Sequence, residues 1–209
     1  MARGVMVAIE GIDAVGKRTQ SSLLNSRLRA KRLKTHLFSF PDYSTPIGVE
    51  ISNFLRHKRH YPPEVRHLLF AANRWEKKEE VESALSSNDL VIVNRYSESN
   101  LAYGVSSGLP LDWLVGLELG LPRTDLVIVL DASPSELYGR RGSQKDRFEI
   151  DLGFQAKTRN AYLELARRFG WEVLNASRGI EETNLVLESL VLSKVKASRA
   201  ARLKGSPKD

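Results

Sequence analysis

Four short clusters along this chain combine residue types that handle phosphate and flat heterocycles. The first is Glu10-Gly11-Ile12-Asp13-Ala14-Val15-Gly16-Lys17-Arg18-Thr19-Gln20. Its glycines let successive backbone N–H groups turn inward around a polyphosphate, a following helix adds the positive end of its dipole, and Lys17 can reach between phosphates. The strict pattern fails at one position, because Arg18 stands where Ser or Thr should follow the lysine. The second cluster pairs Phe70 with Arg74, four residues apart and so on one helix face. There an aromatic ring can stack on a pyrimidine while a guanidinium donates to a base carbonyl. The third, Asn94-Arg95-Tyr96, offers a planar cation that grips phosphate oxygens bidentately. The fourth, Arg140-Arg141-Gly142-Ser143-Gln144-Lys145-Asp146-Arg147, is basic, polar and glycine-containing, as a mobile lid would be. Taken singly, an aromatic–arginine pair is more often a packed residue beside a surface charge, and a charge run is usually solvated.

The elements that must position these clusters are legible from hydropathy. Five nearly continuous apolar runs, Val5–Ile9, His36–Phe40, Leu90–Val93, Leu126–Leu130 and Glu172–Leu174, read as strands buried on both faces. Segments with helical spacing lie between them, at 17–33, 46–57, 63–86, 112–119, 134–141, 151–169 and 180–197. Alternating strands and helices predict an α/β fold: a five-stranded parallel sheet with helices on both faces and its site at the strands' C-terminal ends. The glycine loop follows the first strand and Arg95 the third, so both fall at that edge. One domain over 1–193 is expected, with 194–209 as a frayed basic tail.

Composition narrows the function classes. The chain has 209 residues, 42% hydrophobic and 27% charged, and no apolar run approaches the ~18 residues of a membrane span. The apolar stretch near the N-terminus is too short for a signal peptide, which predicts a cytoplasmic protein. With no cysteine there is no disulfide, thiol nucleophile or Cys-based zinc site, and His36, His57, His60 and His67 form no metal pattern. The net charge of +7 and isoelectric point near 9.7 would suit nucleic-acid binding. Most of that charge sits at the C-terminus, where Lys194, Lys196, Arg199, Arg202, Lys204 and Lys208 face only Asp209. A solvated tail is the plainer reading, and nucleic acid is not an expected partner.

Residues 11–20 resemble the P-loop of thymidylate kinases. Four further segments agree in order and spacing: Phe40–Gly48, Leu68–Glu76 with its Phe70-Ala71-Ala72-Asn73-Arg74-Trp75 core, Asn94–Tyr96, and Arg140–Gly142 through Arg147–Glu149. The likeness extends to about residue 190. It implies a P-loop kinase with a short basic lid that phosphorylates dTMP to dTDP with ATP and Mg2+, as a homodimer. It implies catalytic roles for Lys17, Arg95 and Arg147. ATP would be held by Gly11, Ile12, Asp13, Ala14, Val15, Gly16, Lys17, Arg18, Thr19 and Arg141, with the loop Asn175–Arg178 reading adenine. The dTMP site would comprise Asp13, at the sugar 3′-hydroxyl, with Phe40, Leu55, Phe70, Arg74, Arg95, Asn100, Tyr103 and Phe148.

The chain also departs from that pattern. Asn94 stands where relatives usually carry Asp, Tyr43 where many carry an arginine, and Ala14-Val15 supplies no basic residue to the loop, so the load falls on the lid. No residue is assigned as a direct metal ligand; Thr19 and Asn94 are placed to act through water. An inward-pointing Arg18 would, with Asn94, shift the local charge by +2 relative to the usual site and loosen magnesium. The alternatives are a broader pyrimidine nucleoside monophosphate kinase and a weakly active nucleotide-binding homologue.

Overall fold

The computed structural model describes residues 3–137 and 151–205. Five strands, β1 (Val5–Glu10), β2 (Thr35–Ser39), β3 (Leu90–Asn94), β4 (Leu126–Asp131) and β5 (Glu172–Asn175), form one parallel sheet in the order β2-β3-β1-β4-β5. Central β1 is buried along its whole length, and successive residues feed opposite cores. Val5, Val7 and Ile9 pack with Leu24 and Leu28 of α1 (Lys17–Ala30) and Leu187, Val191 and Val195 of α9 (Ile180–Gly205). Met6 and Ala8 pack with Val81, Ala84 and Leu85 of α4 (Lys78–Ser87) on the other face. Two buried faces explain why β1, β3 and β4 read as continuous apolar runs; against the expectation, the edge strands β2 and β5 are not buried on both faces and are largely open to solvent.

The helices differ from the sequence expectation in three places. The expected helix over 63–86 is two, α3 (Pro63–Glu76) and α4, broken at Lys77. There the backbone N–H of Lys77 bonds back to Arg74 O at 3.1 Å, and its ammonium pairs with Glu80 and with Asp42 at 3.4 Å. The break lets α3 stay with α2 (Pro46–Leu55) while α4 turns under the sheet. Helix α5 (Ser97–Ser106) was not expected at all. Its buried side includes Glu98, Asn100 and Tyr103, so it lacks an apolar stripe. Helix α6 (Leu111–Glu118) matches its expected segment closely, as does α8 (Leu152–Phe169), while α7 (Pro134–Leu137) is followed to the limit of the described residues.

The third difference concerns the C-terminus. Helix α9 continues to Gly205, Val195 is buried and Arg199 pairs with Asp89 at 2.7 Å. A boundary at 193/194 therefore falls inside a continuous helix, which is anchored at Val195 and Arg199 while 196, 197, 200 and 201 are exposed. Truncation after residue 193 should expose the Val195 site, at a cost of about 2 kcal/mol, and lower Tm by roughly 4–8 °C. Thermal unfolding of the truncated and full chains checks this, and nucleotide phosphorylation at 25 °C should survive.

Candidate active site

The C-terminal ends of β1 and β3 are in register, Ile9 opposite Asn94, which brings the glycine loop beside Arg95. Gly11 adopts φ 132°, and a Cβ there would sit 2.4 Å from Leu130 O, so only glycine fits. Gly16 starts α1 in the left-handed region, and Ala14 lies at φ 62°. Lys17 is buried, its Nζ donating to Ile12 O at 2.6 Å across the loop. Asp13 does not cap α1, whose N-cap is Gly16 without a side-chain bond.

Asp13 is instead the hub of a buried polar network. It pairs with Arg95, accepts from Tyr103 Oη at 2.8 Å and from Gln155 Nε2 at 2.9 Å, and its N–H donates to Gln155 Oε1 at 3.2 Å. Burial pushes its carboxyl up, but Arg95, Lys17 and the Tyr103 and Gln155 bonds outweigh that and hold it at about 2. Arg95 reaches this position from a left-handed backbone, φ 63°. Its guanidinium also donates to Gly11 O and Ser99 Oγ, both at 3.3 Å, and lies over the Tyr103 ring. Strain of this kind persists where surrounding structure imposes it, often at a binding site. Beneath it, fully buried Glu10 accepts from Tyr96 N–H and Ser99 Oγ, both at 2.6 Å, and from Tyr162 Oη at 2.8 Å.

A cavity opens from Arg95 toward α3. It is lined by Asp13, Phe40, Pro41, Tyr43, Leu55, His67, Phe70, Arg74, Arg95, Tyr96, Ser99, Asn100 and Tyr103. The eight expected nucleoside-site residues within the described chain thus meet in one place. At its far end Arg74 is buried, donating through Nε to Glu118 Oε2 at 2.9 Å and through a terminal nitrogen to Glu118 Oε1. Asn100 joins them, donating to Glu118 Oε1 at 2.8 Å and to His67 O at 3.2 Å. Arg141, Arg147 and Phe148 lie outside the described residues. The chain re-enters at Asp151, which caps α8, and Gln155 of that helix's first turn reaches Asp13.

Sequence reasoning missed Glu10, His67, Ser99, Glu118, Gln155 and Tyr162. Spacing offered two hints, His67 three residues before Phe70 and Ser99 four after Arg95. Nothing in the sequence links Glu118 to Arg74, 44 residues away.

A model of the thymidylate kinase family matches residues 9–185. The chain belongs to that family. A thymidylate kinase of Arabidopsis thaliana is 38% identical over 194 residues, 93% of this chain and 73% of its own. That of Homo sapiens is 34% identical over 182 residues, 86% and 85% of the two chains. The solved thymidylate kinase of Candida albicans has a TM-score of 0.81 at 30% identity, covering 92% of this chain and 93% of that one. The family's reaction is ATP-dependent phosphorylation of dTMP to dTDP.

The departures from the thymidylate kinase pattern now have positions. Arg18 and Thr19 are exposed on α1, whose buried side is Lys17, Gln20 and Ser21. Both side chains are open to solvent at the first turn of α1, where a triphosphate on the loop would lie, and Asn94 is the departure whose contacts the structure fixes. Asn94 donates to Ser39 Oγ at 3.4 Å, while its Oδ1 is buried without a partner among the described residues. A neutral acceptor there fits the water shell of a magnesium ion carried by ATP. No group of three or more His, Cys, Asp or Glu among the described residues could hold a resident metal.

Two buried groups give this kinase fold opposing pH responses. Burial pushes Glu98 up to about 7, with Glu10 adding repulsion, although Thr124 donates to it at 2.6 Å. Its stabilising contribution is full below pH 4.5 and lost as pH rises to 7. Burial holds His67 down at about 4, so its contribution is present above pH 6.5 and lost as pH falls to 4. Glu98→Gln, which keeps an acceptor for Thr124, should gain on the parent by ~1–3 kcal/mol between pH 5 and 8. His67→Gln should flatten the acid limb between 6.5 and 4. Denaturant unfolding across pH 4–8 checks both.

Proposed function

We propose that the chain binds dTMP in the Arg95–Arg74 cavity, ATP on the P-loop, and transfers the γ-phosphoryl between them. The observation that carries this reading is the convergence of Asp13, Phe40, Phe70, Arg74, Arg95, Asn100 and Tyr103 on one cavity opening beside the glycine loop. In it Phe70 is half-buried, with ring surface left to stack on a pyrimidine. Arg74 donates to a base carbonyl, and Arg95 holds the acceptor phosphate. Asp13, ionised, accepts from a sugar hydroxyl. Loop N–H groups and Lys17 hold the donor phosphates at the start of α1. Arg147 is assigned to the charge developing on the transferred group and Arg141 and Asn175–Arg178 to adenine, as the sequence motif suggests. Catalysis is then chiefly positioning and charge neutralisation, as phosphoryl transfer requires.

Magnesium enters this proposal with ATP. Asn94 and Thr19 would face its water shell, and the ion would supply charge neutralisation between phosphates. Exposed Val49 of α2, Leu68 and Trp75 of α3 and Leu119 beyond α6 support a homodimer through these helices. A cytoplasmic location completes the proposal.

A coupled ADP-release assay over a panel of monophosphates should show dTMP as the preferred acceptor. In the same assay Arg74→Ala should raise KM for dTMP by about 10–150-fold, the loss of a charged hydrogen bond, and leave that for ATP nearly unchanged. Arg147→Ala should lower kcat and kcat/KM together by ~10³ or more. Equal effects of Arg74→Ala on both substrates would place that residue in the other pocket. Asn94→Asp alone, without change at Arg18, should lower the magnesium concentration for half-maximal rate, read by titration at fixed ATP.

A further inference from the structure

One carboxylate orders the polar end of the cavity. Glu118 accepts two bonds from Arg74 and one from Asn100 Nδ2, its side chain only 9% exposed. The second Nδ2 hydrogen goes to His67 O. Both amide hydrogens are thus committed, which leaves Asn100 Oδ1 2.6 Å from His67 Nδ1. An amide oxygen only accepts, so Nδ1 carries the hydrogen of the neutral ring and Nε2 is a bare lone pair. That Nε2 is buried without a partner among the described residues. Turning the amide over would set its oxygen against the Glu118 carboxylate and the His67 carbonyl, and its NH2 against Nδ1–H. The charge on Glu118 therefore decides which way Asn100, and through it His67, presents donors and acceptors.

The same carboxylate aims Arg74. Of the guanidinium's five hydrogens, two bond Glu118, which leaves three for a ligand. The wall so ordered combines donors from Arg74 with the second lone pair of Asn100 Oδ1. A carbonyl beside a ring N–H, the imide edge of thymine or uracil, complements a donor beside an acceptor. Cytosine presents the inverse, an amino group beside a bare ring nitrogen, and would leave buried groups unpaired, the arrangement by which polar sites reject analogues most strongly.

We propose that Glu118 is a positioning residue that fixes the hydrogen-bond polarity of the base pocket, so that the enzyme takes imide pyrimidines and rejects aminopyrimidines. The inference rests on the reading of this cavity as the base pocket.

The test is steady-state kinetics of Glu118→Gln with dTMP, dUMP and dCMP at saturating ATP, dCMP being read as an inhibitor where it is not turned over. The amide keeps the size of the side chain but forces an NH2 against a donor of Arg74 or Asn100. KM for dTMP should rise roughly tenfold or more, with kcat at saturation within about threefold and KM for ATP unchanged. The preference for dTMP over dCMP should fall at least about tenfold, while that for dTMP over dUMP holds, because both carry the imide edge. Equal losses for dTMP and dCMP overturn the proposal, since a purely structural residue would give them. If Glu118→Gln does not fold, Glu118→Asp, with its carboxylate drawn back by one methylene, is read by the same ratio. A fall of about threefold or more supports the proposal and a smaller one overturns it. Arg74→Ala separates the two levels. A dTMP KM indifferent to Arg74→Ala means the cavity is not the base pocket; a raised KM with an unchanged ratio in Glu118→Gln defeats the polarity proposal alone.

Discussion

Asp13 carries a carboxylate inside the phosphate loop, where burial alone would favour its neutral form. It stays ionised because Arg95 and Lys17 lie beside it and Tyr103 and Gln155 donate to it. Each partner arrives from a different element: Lys17 from α1, Arg95 from the turn after β3, Tyr103 from α5 and Gln155 from α8. The pair therefore fixes how four elements meet at the sheet edge. Removing either charge would leave the other buried, which typically costs 3–5 kcal/mol. The left-handed backbone at Arg95 is tolerated for the same reason, since it is the conformation that delivers the guanidinium to Asp13 and Gly11 O.

The cavity is electrically divided along its length. Near the loop, Arg95, Lys17 and the loop N–H groups gather donors around Asp13, while Glu10 is buried beneath and spends its oxygens on Tyr96, Ser99 and Tyr162, so this end suits phosphate. At the far end Arg74 is matched by Glu118 at hydrogen-bond distance, and His67 is held neutral by burial. An uncharged heterocycle can enter there without meeting an unpaired buried charge. Shape and charge thus agree on orientation: phosphate toward the glycine loop, ring toward α3 and α6.

How much of this could be read from the sequence follows from which contacts are local. Strands β1, β3 and β4 were legible because each is buried on both faces and reads as an unbroken apolar run, while the edge strands β2 and β5, largely open to solvent, were legible only as short apolar segments between helices. The glycine loop was legible because its chemistry is confined to consecutive residues. Helix α5 was not, because its buried face spends three positions on Glu98, Asn100 and Tyr103. The break at Lys77 was hidden because helix formers continue through it, and tertiary packing of α4 under the sheet overrides propensity. The docked end of α9 was hidden by its charge: Val195 and Arg199 find partners in β1's core and at Asp89, which composition alone cannot show.

Glu118 marks the limit of motif reading. Phe70 and Arg74 announce a base site because they are one helical turn apart, yet an arginine buried alone would be a liability rather than a reader. What makes it usable is a carboxylate on a helix 44 residues away, whose position depends on α3, α5 and α6 meeting. The same carboxylate orients Asn100, so base recognition is a property of three packed helices and not of the Phe70–Arg74 segment. A family match identifies the segment. The polarity of the pocket is set by the residue behind it, and a change there would alter substrate choice while leaving every recognised motif intact.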